Sequence, residues 1–105
     1  MTMAKMTVIY KTPKDKVFFE KHYFEVHIPL AKQLHGLIKY EINDGMIISP
    51  SGHAEVHLIA NLYFDTLAAM MHAFRSEIGQ KCGADRKILA DNENVQIYLY
   101  DTKDV

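Results

Sequence analysis

Apolar and polar residues alternate with a period of two in three stretches of the chain, a pattern typical of half-buried β-strands. It predicts strands over residues 5–11, 55–64 and 95–100. The stretch 55–64 is the clearest, because one of its faces is uniformly apolar and should pack against helices. A further strand is predicted over 37–48, in which the Asn-Asp-Gly triplet at 43–45 is either a bulge or a tight turn.

A helical period appears between the first two predicted strands. The apolar residues that share one helical face are Phe19, Tyr23, Val26 and Leu30. Asp15 is the predicted N-cap. Pro29 should kink or break the helix near residues 27–28, because proline has no N–H and its ring clashes with the preceding turn. A second short helix is predicted over 29–34, with Gly36 as a stop.

A second helical pattern follows the clearest strand. It predicts a helix over 66–75 with Asp65 as its N-cap, and then broken helical turns over 76–90, where Gly79 and Gly83 interrupt the pattern. The predicted element order is therefore βαββαβ. Two helices on one face of a four-stranded antiparallel sheet form a ferredoxin-like arrangement of the α+β class.

The helices of such an arrangement cover one sheet face and leave the other open. The open face would carry apolar side chains, among them Ile59 and Tyr63, and an exposed patch of this kind usually marks an interface. We therefore predict a homodimer in which two sheets close over each other. The space between the sheets is then the expected ligand cavity.

Composition sets limits on the class of protein. The chain has 105 residues, which suits one domain spanning 1–105. Its 12 Lys and Arg against 13 Asp and Glu give a formal net charge of -1, so there is no broad basic field for nucleic acid. The single cysteine, Cys82, excludes an internal disulfide and fits a reducing compartment. No signal-peptide pattern or membrane-length apolar run is visible, and we expect a cytoplasmic protein without membrane contact.

His27 is the strongest candidate for chemistry, because it lies just before Pro29, where backbone groups become free. Its imidazole could enter the cleft as a general acid or base, since histidine titrates near neutral pH. The structural alternative is a helix-end histidine that bonds a freed carbonyl. Tyr23 lies four residues earlier on the same helical face. It is expected either to hold a ligand oxygen or to be a core residue with a hydrated hydroxyl.

Four further residues are candidates for polar contacts with a substrate. His57 and Asn61 share one face of the strand predicted at 55–64. Tyr10 and Tyr40 lie on neighbouring strands, and the sequence leaves the face of each open. The histidines lack the spacing of a metal site. We therefore expect neither a metal nor a cofactor.

Several segments of the chain together resemble the EthD family, whose name refers to ethyl tert-butyl ether degradation. The most specific is the element Tyr-x-x-x-His-x-Pro-Leu-Ala that begins at Tyr23. The others are Tyr10-Lys11-Thr12-Pro13, Phe19, Gly36-Leu37, Leu62-Tyr63-Phe64-Asp65 before the helix at 66–75, and Ala84-Asp85 before the last strand. The resemblance covers nearly the whole chain and favours a functional role for His27.

The resemblance implies a dimeric α+β barrel. Proteins similar to this family often accompany oxidative degradation systems, and the wider superfamily includes muconolactone isomerases, cofactor-free monooxygenases and haem-binding enzymes. The first functional hypothesis is a cofactor-free isomerase or monooxygenase that uses His27 as acid or base on a small, apolar, oxygenated substrate. The alternatives are a non-catalytic accessory protein that sequesters such a molecule and a haem-binding protein. A shared fold does not select among them.

Overall fold

The predicted βαββαβ framework is confirmed in the computed structural model, which describes residues 3–105. Met1 and Thr2, part of the segment that we predict to lack a signal peptide, lie outside the described residues. The strands are β1 (Ala4–Lys11), β2 (Lys39–Ile42), β3 (Ile48–Ser49), β4 (Gly52–His53), β5 (Val56–Phe64) and β6 (Val95–Asp101). The helices are α1 (Lys16–His22), α2 (Ile28–Ala31), α3 (Leu67–Arg75) and α4 (Glu77–Leu89), with a π-helical turn at Tyr23–His27 and a 3₁₀ turn at Asn92–Asn94.

Four of the strands form one antiparallel sheet in the order β2-β5-β1-β6, and the helices pack on one of its faces. The apolar face predicted for the stretch 55–64 is confirmed. Its members are buried against the helices, except that Val56 at the strand's start is half-buried: Val56, Leu58, Ala60, Leu62 and Phe64. None of the helices in residues 3–105 is long and apolar enough to cross a membrane.

The opposite sheet face has no helix over it. Strand alternation places these side chains there: Lys5, Thr7 and Ile9 of β1, and Ile59, Asn61 and Tyr63 of β5. The edge strand β6 adds Tyr98 and Tyr100, which are 50% and 40% exposed. This face therefore mixes aromatic, aliphatic and polar groups, as the sequence predicts.

Pro29 deforms the first helix near the predicted position, but the helix does not break. Between α1 and α2 the chain makes a π-helical turn, closed by a hydrogen bond from the Ile28 N–H to the Tyr23 carbonyl. The wider turn leaves room for the proline ring, which would otherwise clash with the Glu25 carbonyl. His27 is the last residue of this turn, and π turns of this kind occur frequently at functional sites.

The segment after α3 is one continuous helix, α4, and the prediction of broken turns over 76–90 is wrong. Ser76 caps this helix, since its Oγ accepts a hydrogen bond from the Gly79 N–H at 3.1 Å. Burial outweighs the low helix propensity of the two glycines. The α4 residues that are buried are Gly79, Cys82, Asp85 and Leu89.

Two helix N-caps were predicted, and one is confirmed. Asp15 caps α1, because its Oδ1 accepts a hydrogen bond from the Phe18 N–H at 3.0 Å. The prediction of Asp65 for α3 is wrong. Thr66 occupies the N-cap, with an extended backbone and with its Oγ1 accepting from the Ala69 N–H at 3.0 Å.

The strand predicted over 37–48 is shorter, because the chain leaves the sheet after β2 and bends at Gly45. The Asn43 Nδ2 donates to the Gly45 carbonyl at 2.7 Å, and Gly45 has a φ of +84°. Glycine adopts this left-handed conformation without the strain that a Cβ would cause. The triplet at 43–45 leaves the sheet with a bend at Gly45, and the chain beyond it forms the separate β3–β4 hairpin.

Candidate functional site

A cavity of about 140 Å³ lies between the helices and the sheet within one chain. Its apolar wall includes Met6, Val8, Ala31, Leu34, Ala60 and Leu62. Four of the predicted site residues meet there: Tyr10, Tyr23, His27 and Tyr40. We expected the ligand cavity between the sheets of two chains, but these four residues line a cavity inside one chain. The structure also shows that Tyr10 and Tyr40 both point toward the helix-covered face.

His27 enters this cavity held by a carboxylate. Its side chain is buried, with the residue 8% exposed, and its Nδ1 lies 2.8 Å from Oδ2 of Asp85 on α4. The carboxylate can only accept, so Nδ1 carries the proton and donates it. The other ring nitrogen, Nε2, then has a free lone pair and can accept a proton.

The His27 Nε2 is accessible rather than sealed in the core. No hydrogen bond occupies it within residues 3–105, and no fully buried side-chain nitrogen or oxygen in that part of the chain lacks a partner. An unpartnered atom of a buried residue must then retain some accessible surface. His27 lines the cavity, so a molecule bound there is the candidate partner for this nitrogen.

Burial lowers the pKa of His27 below its usual value of about 6.5, because the charged imidazolium loses hydration. The Asp85 carboxylate acts in the opposite direction, whereas the charges of His22 and Arg86 lower the pKa further. The net direction keeps the ring neutral at pH 7. A neutral imidazole with one nitrogen fixed as donor is suited to general-base catalysis.

Asp85 belongs to the candidate site, and the sequence did not identify it as the partner of His27. Its carboxylate lies between two imidazoles, since Oδ1 also contacts Nε2 of His22 at 2.8 Å. His22, the last residue of α1, is only partly exposed and belongs to this cluster. The one signal in the sequence was the Ala84-Asp85 pair in the resemblance to the EthD family.

Three tyrosines form an aromatic side of the cavity next to His27. The hydroxyls of Tyr23 and Tyr40 lie 2.5 Å apart, and the ring of Tyr23 stacks on His27 with centroids 5.3 Å apart. Tyr10 packs edge-on against Tyr23 at 5.9 Å. Burial is the largest cause that raises the pKa of each of the three hydroxyls, to about 12 for Tyr40. They therefore remain neutral. The hydrogen bond between Tyr23 and Tyr40 uses one hydroxyl proton, so Tyr10 and one member of that pair can donate to a ligand oxygen.

Tyr23→Phe is expected to lower the free energy of unfolding by about 1–2 kcal/mol, because it leaves the Tyr40 hydroxyl without its partner. Urea unfolding followed by circular dichroism measures the change. Tyr98→Phe is the matched control, since that hydroxyl is on an exposed strand, and it should change stability by less than about 0.5 kcal/mol. Equal effects of the two substitutions would contradict a stabilising role for the tyrosine pair.

Two further α4 side chains reach the cavity, Cys82 and Arg86. Burial raises the pKa of the Cys82 thiol to about 11, so it stays protonated and is a poor nucleophile. Arg86 is half-buried and donates to the Ala90 carbonyl at 2.9 Å and to the Asn92 Oδ1 at 2.6 Å. These hydrogen bonds hold the positively charged guanidinium of Arg86 beside the cavity.

His57 does not line this cavity. The register of the β1–β5 ladder shifts beside it, and its side chain turns toward α1. There its Nε2 lies 2.7 Å from Oε1 of Glu20, and its ring packs edge-on against Phe19 at 5.2 Å. The sequence could not show this, because a simple alternation places His57 on the face of Asn61.

Asn61 lies on the open sheet face, away from the cavity. Its Oδ1 accepts a hydrogen bond from the Thr7 hydroxyl at 2.9 Å, and that hydroxyl also contacts the Tyr100 hydroxyl at 3.1 Å. Within residues 3–105, no three His, Cys, Asp or Glu side chains are grouped so that they could hold a metal ion.

Comparisons with known proteins agree on one family. A family model described as "EthD domain" matches residues 11–93. An uncharacterised 11.0 kDa protein from the thcB-thcC intergenic region of Rhodococcus erythropolis is 32% identical over 84 residues, which are 79% of this chain and 80% of that protein. A crystal structure of an ethyl tert-butyl ether degradation family protein from Bacillus halodurans matches with a TM-score of 0.82 and 28% identity, covering 98% of this chain and 99% of that one.

A more distant structure shares the fold. The hydroxynitrile lyase from Passiflora edulis matches with a TM-score of 0.76 and covers 98% of this chain and 95% of its own. Its sequence identity of 9% supports the architecture alone.

Proposed function

The chain belongs to the EthD family, and from that premise we propose that it binds a small, mostly apolar, oxygenated molecule in the helix–sheet cavity and moves a proton with His27. One observation carries the proposal: Asp85 fixes Nδ1 of His27 at 2.8 Å beside a cavity that a ligand can occupy. A buried carboxylate is costly, and here it orients an imidazole next to that space. The arrangement is that of a base with its orienting group.

The proposed step uses groups already in place. Nε2 of His27 accepts a proton from the substrate, and Asp85 stabilises the imidazolium that results. The hydroxyls of Tyr10, Tyr23 and Tyr40 are the candidates for hydrogen bonds to substrate oxygens, because their raised pKa values keep them protonated. The proton then returns to another atom of the substrate or to the leaving group. This step changes no oxidation state and needs no cofactor.

The size of the cavity bears on the alternative functions. A porphyrin is several times larger than the 140 Å³ between the helices and the sheet, so this cavity does not favour the haem-binding alternative. Sequestration of a small molecule without chemistry uses the same space. Sequestration alone does not explain why Asp85 is paired with His27, and we therefore favour an enzyme.

We further propose that two chains associate through their open sheet faces, as in the dimeric barrel that the sequence predicts. The support is the mixed aromatic and aliphatic surface there, which includes Ile59 and the exposed Tyr98 and Tyr100. Asn61 would then lie in the interface and not in the ligand cavity. A role in an oxidative degradation pathway and a cytoplasmic location belong to the same proposal.

The experiment that tests the proposal measures base catalysis with acetone cyanohydrin as a probe. Removal of its hydroxyl proton by His27 lets the carbon–carbon bond to cyanide break, which gives acetone and cyanide. The rate above buffer is expected to rise with pH through one titration centred below about pH 6.5. The sign follows from the lowered pKa of His27: the ring loses its proton, and becomes a base, at a lower pH than an exposed histidine.

Native mass spectrometry of protein purified from its own host provides the complementary observation. A constant small adduct on the protein together with cyanohydrin cleavage supports an enzyme that retains its ligand. The same adduct without acceleration at any pH would contradict the acid–base proposal and favour sequestration.

A further inference from the structure

We infer that the cavity selects a molecule the size of one six-membered ring that carries an ionisable hydroxyl, a phenol or an enol, and that Arg86 holds the oxyanion formed from it. This inference rests on the proposed function in one respect, that His27 takes the proton. It assigns a role to Arg86, and it names the substrate class.

The volume of the cavity sets the size of the ligand. Its 140 Å³ is close to the ~150 Å³ of apolar cavities that hold one benzene molecule. Its walls are mostly aliphatic and aromatic, so they favour an apolar ring over a polar chain. We therefore expect a single ring to fit this space better than a fused two-ring compound.

Arg86 brings a positive charge that no carboxylate neutralises. Both of its hydrogen bonds go to neutral acceptors, the Ala90 carbonyl and the Asn92 side chain. Within residues 3–105, no Asp or Glu forms an ion pair with it. A guanidinium has five N–H donors, so donors remain for a ligand. An uncompensated cation at a largely apolar cavity attracts an anion strongly, because the local dielectric is low.

In the described part of the chain, Asp85 is the one anion that the titratable groups at the cavity supply. These groups are Tyr10, Tyr23, His27, Tyr40 and Cys82, with Asp85 behind the histidine. Burial keeps the tyrosines and the thiol protonated. Both oxygens of Asp85 are engaged by imidazole nitrogens. Within residues 3–105, neither Asp85 oxygen forms an ion pair with Arg86, so the guanidinium can still attract an anionic ligand.

Because His27 acts as a base, we expect the cavity to favour hydroxyl compounds over carboxylic acids. A carboxylic acid arrives ionised at neutral pH and gives His27 no proton to remove. A phenol or an enol acidic enough to be ionised beside His27 and Arg86 arrives neutral, enters the apolar cavity and loses its proton there. The O–H proton moves to Nε2 of His27, the electron pair stays on the ligand oxygen, and Arg86 faces that oxygen. No oxidant or other reactant takes part in this step.

The test is a spectroscopic titration of bound 4-nitrophenol, whose phenolate absorbs at a longer wavelength than the neutral form. In the wild type, the pKa of the bound probe is expected to fall by about one unit, equivalent to a tenfold tighter hold on the phenolate. Arg86→Gln should abolish this preference, and Arg86→Lys should retain part of it. Nitrobenzene, which cannot ionise, is the matched ligand and should bind wild type and Arg86→Gln within about twofold.

The wild type alone provides a second test, in case the variants do not fold. Phenol should bind at least about tenfold more tightly than 2-naphthol, which has a second ring. The inference is overturned if 2-naphthol binds as well as phenol, or if 4-nitrophenol shows the same pKa in wild type and Arg86→Gln. An anion preference without cyanohydrin cleavage would leave the role of Arg86 and the ligand size standing and remove the proton transfer to His27 that the proposed function requires. Cyanohydrin cleavage without an anion preference would overturn this inference and leave the proposed function standing.

Discussion

Asp85→Asn is expected to reduce the His27-dependent cleavage of acetone cyanohydrin by about 10²–10⁴-fold, the range that a positioned general base contributes. The reason is the direction of one hydrogen bond. The Asp85 carboxylate accepts the Nδ1–H of His27 at 2.8 Å. An asparagine can instead present its amide N–H, which favours the tautomer with the proton on Nε2. That nitrogen then has no lone pair for the substrate.

Because Asp85 acts through His27, the two substitutions should not be additive. His27→Ala is expected to cause a loss of the same size, and the double variant should be no slower than His27→Ala. Nitrogen-15 NMR of the His27 ring provides a readout that a purely structural role would not change. It should report a protonated Nδ1 in the wild type and a protonated Nε2 in Asp85→Asn.

His22→Ala is the matched control, since it removes the other imidazole from the same carboxylate and leaves the His27 contact in place. Its rate should fall by less than about tenfold. The positioning role of Asp85 would be contradicted if Asp85→Asn retained the wild-type rate, or if it lost activity with Nδ1 still protonated.

Gly79→Ala is expected to have the largest effect on stability, a decrease in the free energy of unfolding of about 3 kcal/mol or more. A Cβ at this position would lie 2.3 Å from the Ala73 carbonyl oxygen and 2.4 Å from the Phe74 Cα. Both are backbone atoms, so no side-chain rotation can relieve the overlap. The first turn of α4 would have to move away from α3.

Gly83→Ala, one turn later in the same helix, is the matched control. No atom lies within 4 Å of a Cβ built there, so the substitution should raise stability by about 0.5–1 kcal/mol through helix propensity. Urea unfolding of the three proteins compares them directly. A Gly79→Ala protein as stable as Gly83→Ala would show that α3 and α4 are not as closely packed as described.

The close packing at Gly79 also explains why α4 was predicted incorrectly. By helix propensity alone, two glycines within five residues indicate an interrupted helix. In the fold, Gly79 allows the backbones of α3 and α4 to approach, and the N-cap Ser76 starts the second helix at once. Propensity is a weak term, and the tertiary contacts outweigh it.

The part of the site that lies on the first helix was predictable from the sequence. The four-residue spacing of Tyr23 and His27 fixes their stacking, because residues separated by four share one helical face. Pro29 marks where that helix must deform. Asp85 was not predictable as the partner of His27, because 58 residues separate them in the chain.

The sequence by itself determined the βαββαβ order, the apolar face of β5 and the position of His27 on a deformed helix. Each of these follows from periodicity or from the chemistry of a single residue. The tertiary structure alone decided that Tyr10 and Tyr40 face the same cavity as His27, and that His57 and Asn61 do not. A one-residue shift in strand register reverses the direction of a side chain, and residues from distant segments meet only when the helices dock on the sheet. The Asp85 carboxylate that accepts the hydrogen bond from His27 and the Arg86 cation beside the cavity therefore both come from α4.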